Sequence, residues 1–104
     1  MSTTTQLQQT VSRSVTVPCR QGVHLRVASV IVTMAKQFHS AIHFVSGAER
    51  VDAKSILGVL RLGAVRDTPL VLTANGPDAD RAVQVLGELF ESRAVLCRDP
   101  WELN

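Results

Sequence analysis

What most restricts the fold of this chain is how the spacing of its apolar residues changes along it, from every second residue to every third or fourth and back. A period of two marks a strand with one buried face, and a period near 3.6 marks a helix packed on one side. "SVTVP", residues 14 to 18, alternates and is β-branched, and Pro18 has no amide for a ladder, so a first strand should finish near there. After the loop "CRQG", Ala28, Ile31, Ala35 and Phe38 recur at helical spacing from Leu25 onward. The run "VASVIV" would also suit a strand, and the length of the periodic pattern is what favours a helix. "SAIHFVSG" alternates with Ile42 and Phe44 on one face, and Gly47 turns the chain into a short strand around "ERVD", making a hairpin.

In "KSILGVLRLG", Ser55 can accept a hydrogen bond from an orphan amide at a short helix start, and Gly63 can end that helix. "TPLVLTANG" reads as a buried strand closed by the Asn75-Gly76 turn signal. Asp78 is a natural N-cap for a last helix whose Ala79, Ala82, Val83, Leu86, Leu89 and Phe90 form one stripe, with Gly87 weakening it by about 1 kcal/mol relative to alanine. The order is β-α-β-β-α-β-α, which predicts an α+β sandwich: a four-stranded antiparallel sheet with three helices on one face. The first dozen residues, 1–12, are polar and read as a flexible N-terminal extension, and residues 93–104 read as an extension that packs back through Val95, Leu96 and Trp101 or stays a tail.

At 104 residues, with 45% hydrophobic and 19% charged residues, the chain can bury one ordinary core. A net charge of +2 with dispersed basic residues argues against nucleic acid or an anionic membrane as partner, and the four aromatics Phe38, Phe44, Phe90 and Trp101 give no base-stacking platform. No leader pattern or membrane-length apolar run is visible, so a cytoplasmic protein is expected. Cys19 and Cys97 are far apart and in no CxxC or zinc spacing, which suggests two reduced thiols in a reducing compartment. His39 and His43 read as a helix-terminal cation and an outward strand residue, so neither a metal nor a cofactor is expected.

The stretch with chemical content is "GVHLRVA", residues 22 to 28. Gly22 lets the backbone turn, and His24 falls at or just before the helix start, where the amides of Leu25, Arg26 and Val27 have no intrahelical partner. Those amides and the positive end of the helix dipole disfavour an imidazolium and favour an attached anion, which suits a neutral, nucleophilic histidine carrying a phosphoryl group. Arg26 could contact the same oxygens. The plainer alternative is that His24 only caps the helix and Arg26 is a solvated first-turn residue.

"GVHLRVA" resembles the G-L-H-A-R-P-A active-site motif of HPr, the histidine-containing phosphocarrier of the bacterial phosphoenolpyruvate-dependent sugar phosphotransferase system, and "VDAKSILGVLRLG", residues 51 to 63, is similar to that family's second signature. The resemblance spans roughly residues 13 to 92 and carries the same β-α-β-β-α-β-α order. It implies that His24 is phosphorylated on Nδ1, that Arg26 assists transfer, and that the Leu25 and Arg26 amides bind the phosphoryl group. It matches Ser55 to a serine modified by HPr kinase/phosphorylase in some bacteria, beside its plain role as an N-cap. Leu25, Ile56, Leu57 and Leu60 correspond to the family's docking patch for partner enzymes, although some of them must fill the core.

The implied function is a monomeric carrier, not an enzyme, that takes a phosphoryl group from an Enzyme I-like donor and gives it to an Enzyme IIA-like acceptor. The rivals are a regulatory paralogue working through Ser55 or a nitrogen-type phosphotransferase chain, and an interaction module that is never phosphorylated. Two departures stand out: Val27 replaces the motif proline, and the chain after residue 92 runs past the family's usual end.

Overall fold

The computed structural model describes residues 10–62 and 67–97. Strands β1 (Thr10–Thr16), β2 (Ala41–Ser46), β3 (Glu49–Asp52) and β4 (Pro69–Asn75) form one antiparallel sheet in the order β1-β4-β2-β3. Helices α1 (Leu25–Ala35), α2 (Ile56–Arg61) and α3 (Ala79–Glu91) complete the α+β open-faced sandwich, and a single further turn, α4 (Arg93–Leu96), follows α3. β1 lies earlier than the expected 14 to 18: Thr10 pairs with Asn75 and Thr16 with Pro69. Val17 and Pro18 lie beyond the strand's end.

Burial follows the two periods. β4 alternates, with Leu70, Leu72 and Ala74 buried and Val71 39% exposed, so the strand expected to be buried throughout is covered on one face only. The helices shield a single side of the sheet, and the residues of a strand point to its two sides in turn. Ile42 and Phe44 of β2 meet the stripe of α3, where the Phe44 and Phe90 rings sit 5.5 Å apart at a tilt of 53°. Burial of side chains this large stabilises the fold by roughly 1.5–3 kcal/mol each. Gly87 is buried within that stripe because Arg13, on the helix-facing side of β1, lays its guanidinium against it and pairs with Glu91. A side chain at 87 would require that guanidinium to shift.

α1 buries Val27, Ala28, Ile31, Val32 and Ala35 and ends before Phe38, which is half-buried against the core. Asp78 stands at the N-cap of α3 but does not cap it. Its carboxylate instead accepts from the His39 amide (2.9 Å), the Ser40 amide (2.9 Å) and the Ser40 hydroxyl (2.5 Å), tying the start of α3 to the segment before β2. These bonds, the Ser40 hydroxyl first, hold the Asp78 carboxyl down to about 2. Gly76, with φ +147°, is needed beside this network because a Cβ there would lie 2.8 Å from the Ser40 Cα.

The cysteines correct the expectation of two reduced thiols: Cys19 and Cys97 are joined in a disulfide, their Cα atoms 5.1 Å apart across 78 residues of sequence. Spacing along the chain could not reveal this, because α4 folds back and brings Leu96, fully buried, into the core beside the loop that holds Cys19. A cross-link over that many residues narrows the unfolded ensemble by roughly 4 kcal/mol in chain-entropy terms. Val95, expected to pack back with Leu96, is 61% exposed, and Gly63 and Trp101 lie outside the described residues. No helix among the described residues is long and apolar enough to cross a membrane.

Candidate functional site

The loop into α1 is set by a tight turn in which the Gly22 amide donates to the Cys19 carbonyl at 2.8 Å. Gly22 has φ +76°, a conformation open to glycine at no steric cost. The chain then straightens, and His24 takes the N-cap position of α1 in extended geometry (φ −108°, ψ −176°). Its carbonyl accepts the first helical bond, from the Ala28 amide at 2.8 Å, so the Leu25, Arg26 and Val27 amides precede the ladder at the positive end of the dipole. The imidazole does not cap the helix, and it has no hydrogen-bond or ion-pair partner among the described residues. The backbone of His24 is thus committed to the helix while its half-buried ring is left available. Behind it, Val27 and Ala28 are fully buried and anchor the first turn.

Arg26 projects from this turn and donates from Nη2 to the Leu96 carbonyl at 3.2 Å. The cation that sequence reasoning aims at a phosphoryl group is therefore held by the chain's last described turn. Sequence reasoning missed this contact and the disulfide next to it. The available signal was that one of only two cysteines precedes the histidine motif and the other lies in the extension.

At the start of α2, Ser55 does cap, its hydroxyl oxygen accepting from the Gly58 amide at 3.0 Å. Arg50, Asp52, Leu57, Gly58 and Arg61 line a shallow cavity with it. The Arg61–Glu49 pair at 3.9 Å is exposed at both ends and adds little. α2 packs against α1. Leu25 and Leu57 are 62% and 79% exposed, Ile56 is exposed at its margin, and Leu60 leans on the core. Three of the four expected docking residues are thus at the surface. His39 is exposed and contributes its amide to Asp78. His43 lies on β2 beside Arg50, where burial and then the Arg50 charge lower its pKa against the opposing pull of Asp52.

The family model described as the PTS HPr component phosphorylation site matches residues 11–92. The chain belongs to the HPr phosphocarrier family. The HPr of Treponema pallidum is 40% identical over 83 residues, covering 80% of this chain and 94% of that one. Among solved structures, HPr-C-His from Thermoanaerobacter tengcongensis superimposes with a TM-score of 0.77 at 31% identity, over 80% of this chain and 93% of that one. An HPr from Bacillus anthracis gives 0.72 at 30% identity, over 76% and 94%. The HPr match ends at residue 92, next to the first residue of α4, so the turn that holds Arg26 and carries Cys97 lies outside the matched region.

Proposed function

We propose that the chain is a cytoplasmic, monomeric phosphocarrier of the phosphotransferase system. His24 Nδ1 accepts a phosphoryl group from an Enzyme I-like donor and passes it to an Enzyme IIA-like acceptor. In the first transfer a phosphorus–nitrogen bond forms at Nδ1 as the bond to the donor's phosphorylated group breaks, and the second transfer reverses this on the acceptor. The observation that carries the reading is the His24 ring, which stands unpartnered at a helix N-terminus it does not cap. The Leu25 and Arg26 amides there are placed to bind phosphoryl oxygens, with Arg26 supplying the charge. Leu25, Ile56 and Leu57 serve as the apolar docking surface, with Leu60 bracing it from the core. The working domain, expected to begin only near residue 13, takes in the whole of β1 from Thr10 and runs to residue 92, and the extension at 93–104 follows it.

Incubation with Enzyme I and phosphoenolpyruvate should give an acid-labile, base-stable phosphate that His24→Ala abolishes. Labelling that persists in the variant overturns the assignment. A regulatory role for Ser55, through a kinase/phosphorylase of the HPr type, is supported by its place at the start of α2 beside Leu57. About two negative charges there would repel partners from the apolar surface without unfolding the helix they sit on.

A further inference from the structure

The turn formed by α4 has little to hold it by itself. Its internal bonds run from the Val95 and Leu96 amides to the Ser92 carbonyl and from the Cys97 amide to the Arg93 carbonyl, one helical turn in all. An isolated turn of that length is unstable in water. Among the described residues, three attachments keep it on the domain: the buried Leu96 side chain, the Cys19–Cys97 disulfide, and the Arg26 hydrogen bond to the Leu96 carbonyl. Two of these end on the active loop, since Cys19 accepts the Gly22 bond that turns the chain toward His24 and Arg26 sits two residues beyond it. Cys19 is 2% exposed, whereas Cys97 is only half-buried.

We propose that the Cys19–Cys97 disulfide is a redox modification site that latches α4 over the active loop, and that its reduction by a dithiol frees Arg26 for the phosphoryl group on His24. The inference rests on the phosphocarrier reading. In the latched state the Leu96 carbonyl competes with phosphoryl oxygens for the guanidinium, because the cross-link holds that carbonyl in place. With the disulfide open, the turn loses its covalent tie to the active loop, and the Leu96 carbonyl is no longer locked against the Arg26 guanidinium. The chemistry is thiol–disulfide exchange. A reductant thiolate attacks the more accessible Cys97 sulfur, the Cys19–Cys97 bond breaks, and Cys19 leaves as a thiolate that takes a proton. The reductant's second thiolate then attacks the mixed disulfide and expels Cys97, so two electrons and two protons pass to the protein and the dithiol becomes a disulfide. In a reducing compartment a disulfide of this kind belongs to the transient, redox-sensing class, not the structural one.

The test compares the full chain in its oxidised form and after dithiothreitol, with thiol alkylation followed by mass spectrometry to count the cysteines released. Initial rates of acid-labile phosphorylation by Enzyme I and phosphoenolpyruvate should rise about tenfold on reduction, the scale of one hydrogen bond to a charged group. Cys97→Ser should phosphorylate at the reduced rate and ignore dithiothreitol, and Arg26→Lys should shrink the difference between the two redox states. Equal rates in the two verified redox states, a Cys97→Ser protein that still responds to dithiothreitol, or a native disulfide that releases no alkylatable thiols would each overturn the latch. If neither form takes phosphate, the carrier reading falls and the latch is judged by amide hydrogen exchange at Leu96 and Cys97. Faster exchange on reduction supports it, and unchanged protection overturns it.

Discussion

The starts of α1 and α2 are built alike and used differently. His24 and Ser55 both occupy the N-cap with extended backbone, and each gives its carbonyl to the first helical bond, from Ala28 and from Val59. Ser55 also commits its side chain, accepting from the Gly58 amide, whereas the His24 ring commits nothing to its own helix. A side chain already bonded to its helix contributes stability, and one left over is free for chemistry. Asp78, at the third helix start, shows a further use, since its carboxylate fastens distant backbone and leaves its own helix uncapped.

Substitutions at the three helix starts should therefore separate cleanly. The largest loss of stability is expected at Asp78, whose carboxylate accepts three bonds at once; an asparagine keeps one acceptor oxygen and turns the other side of the group into a donor facing an amide. Its carboxyl is depressed to about 2 in the fold, against about 3.9 in an unfolded chain. The stability it contributes is thus complete above the unfolded value and is lost as pH falls from there through the folded one. Melting curves between about pH 5 and pH 2 should show this loss in the parent and not in Asp78→Asn, which should start lower and change less. A variant as steep as the parent would mean the network is not formed.

Next in size, Ser55→Ala should cost about 1 kcal/mol by denaturant titration, the usual worth of an N-cap. His24→Ala should cost less than about 0.5 kcal/mol, since no bond is lost with the ring, even as labelling vanishes. If the two alanine variants were equally destabilised, His24 would be a structural cap and the contrast would collapse. For Val27→Pro two effects of opposite sign should nearly cancel in stability. Its side chain is fully buried, so a swap of similar volume loses some packing, and restricting the unfolded chain offsets part of that, leaving a change within about 1 kcal/mol. A slower phosphorylation rate at unchanged melting temperature would show that the Val27 amide binds the phosphoryl group.

The sequence by itself determined the parts that depend on near neighbours. Strand alternation at Ile42 and Phe44, the stripe from Ala79 to Phe90, the Ser55 cap and the two motifs around His24 and Ser55 are all patterns within a few residues, where backbone geometry alone sets which side chains share a face. The tertiary structure decided the rest. The Asp78 carboxylate serves residues 38 and 39 positions away, Arg26 meets Leu96 across 70, and Cys19 meets Cys97 across 78. That Val71 faces outward is likewise a fact about helices covering one side of the sheet. Local spacing encodes periodicity, but which distant groups meet depends on how the packed layers bring the ends of the chain together. For that reason the motif around His24 was legible in the sequence, and the turn that holds Arg26 was not.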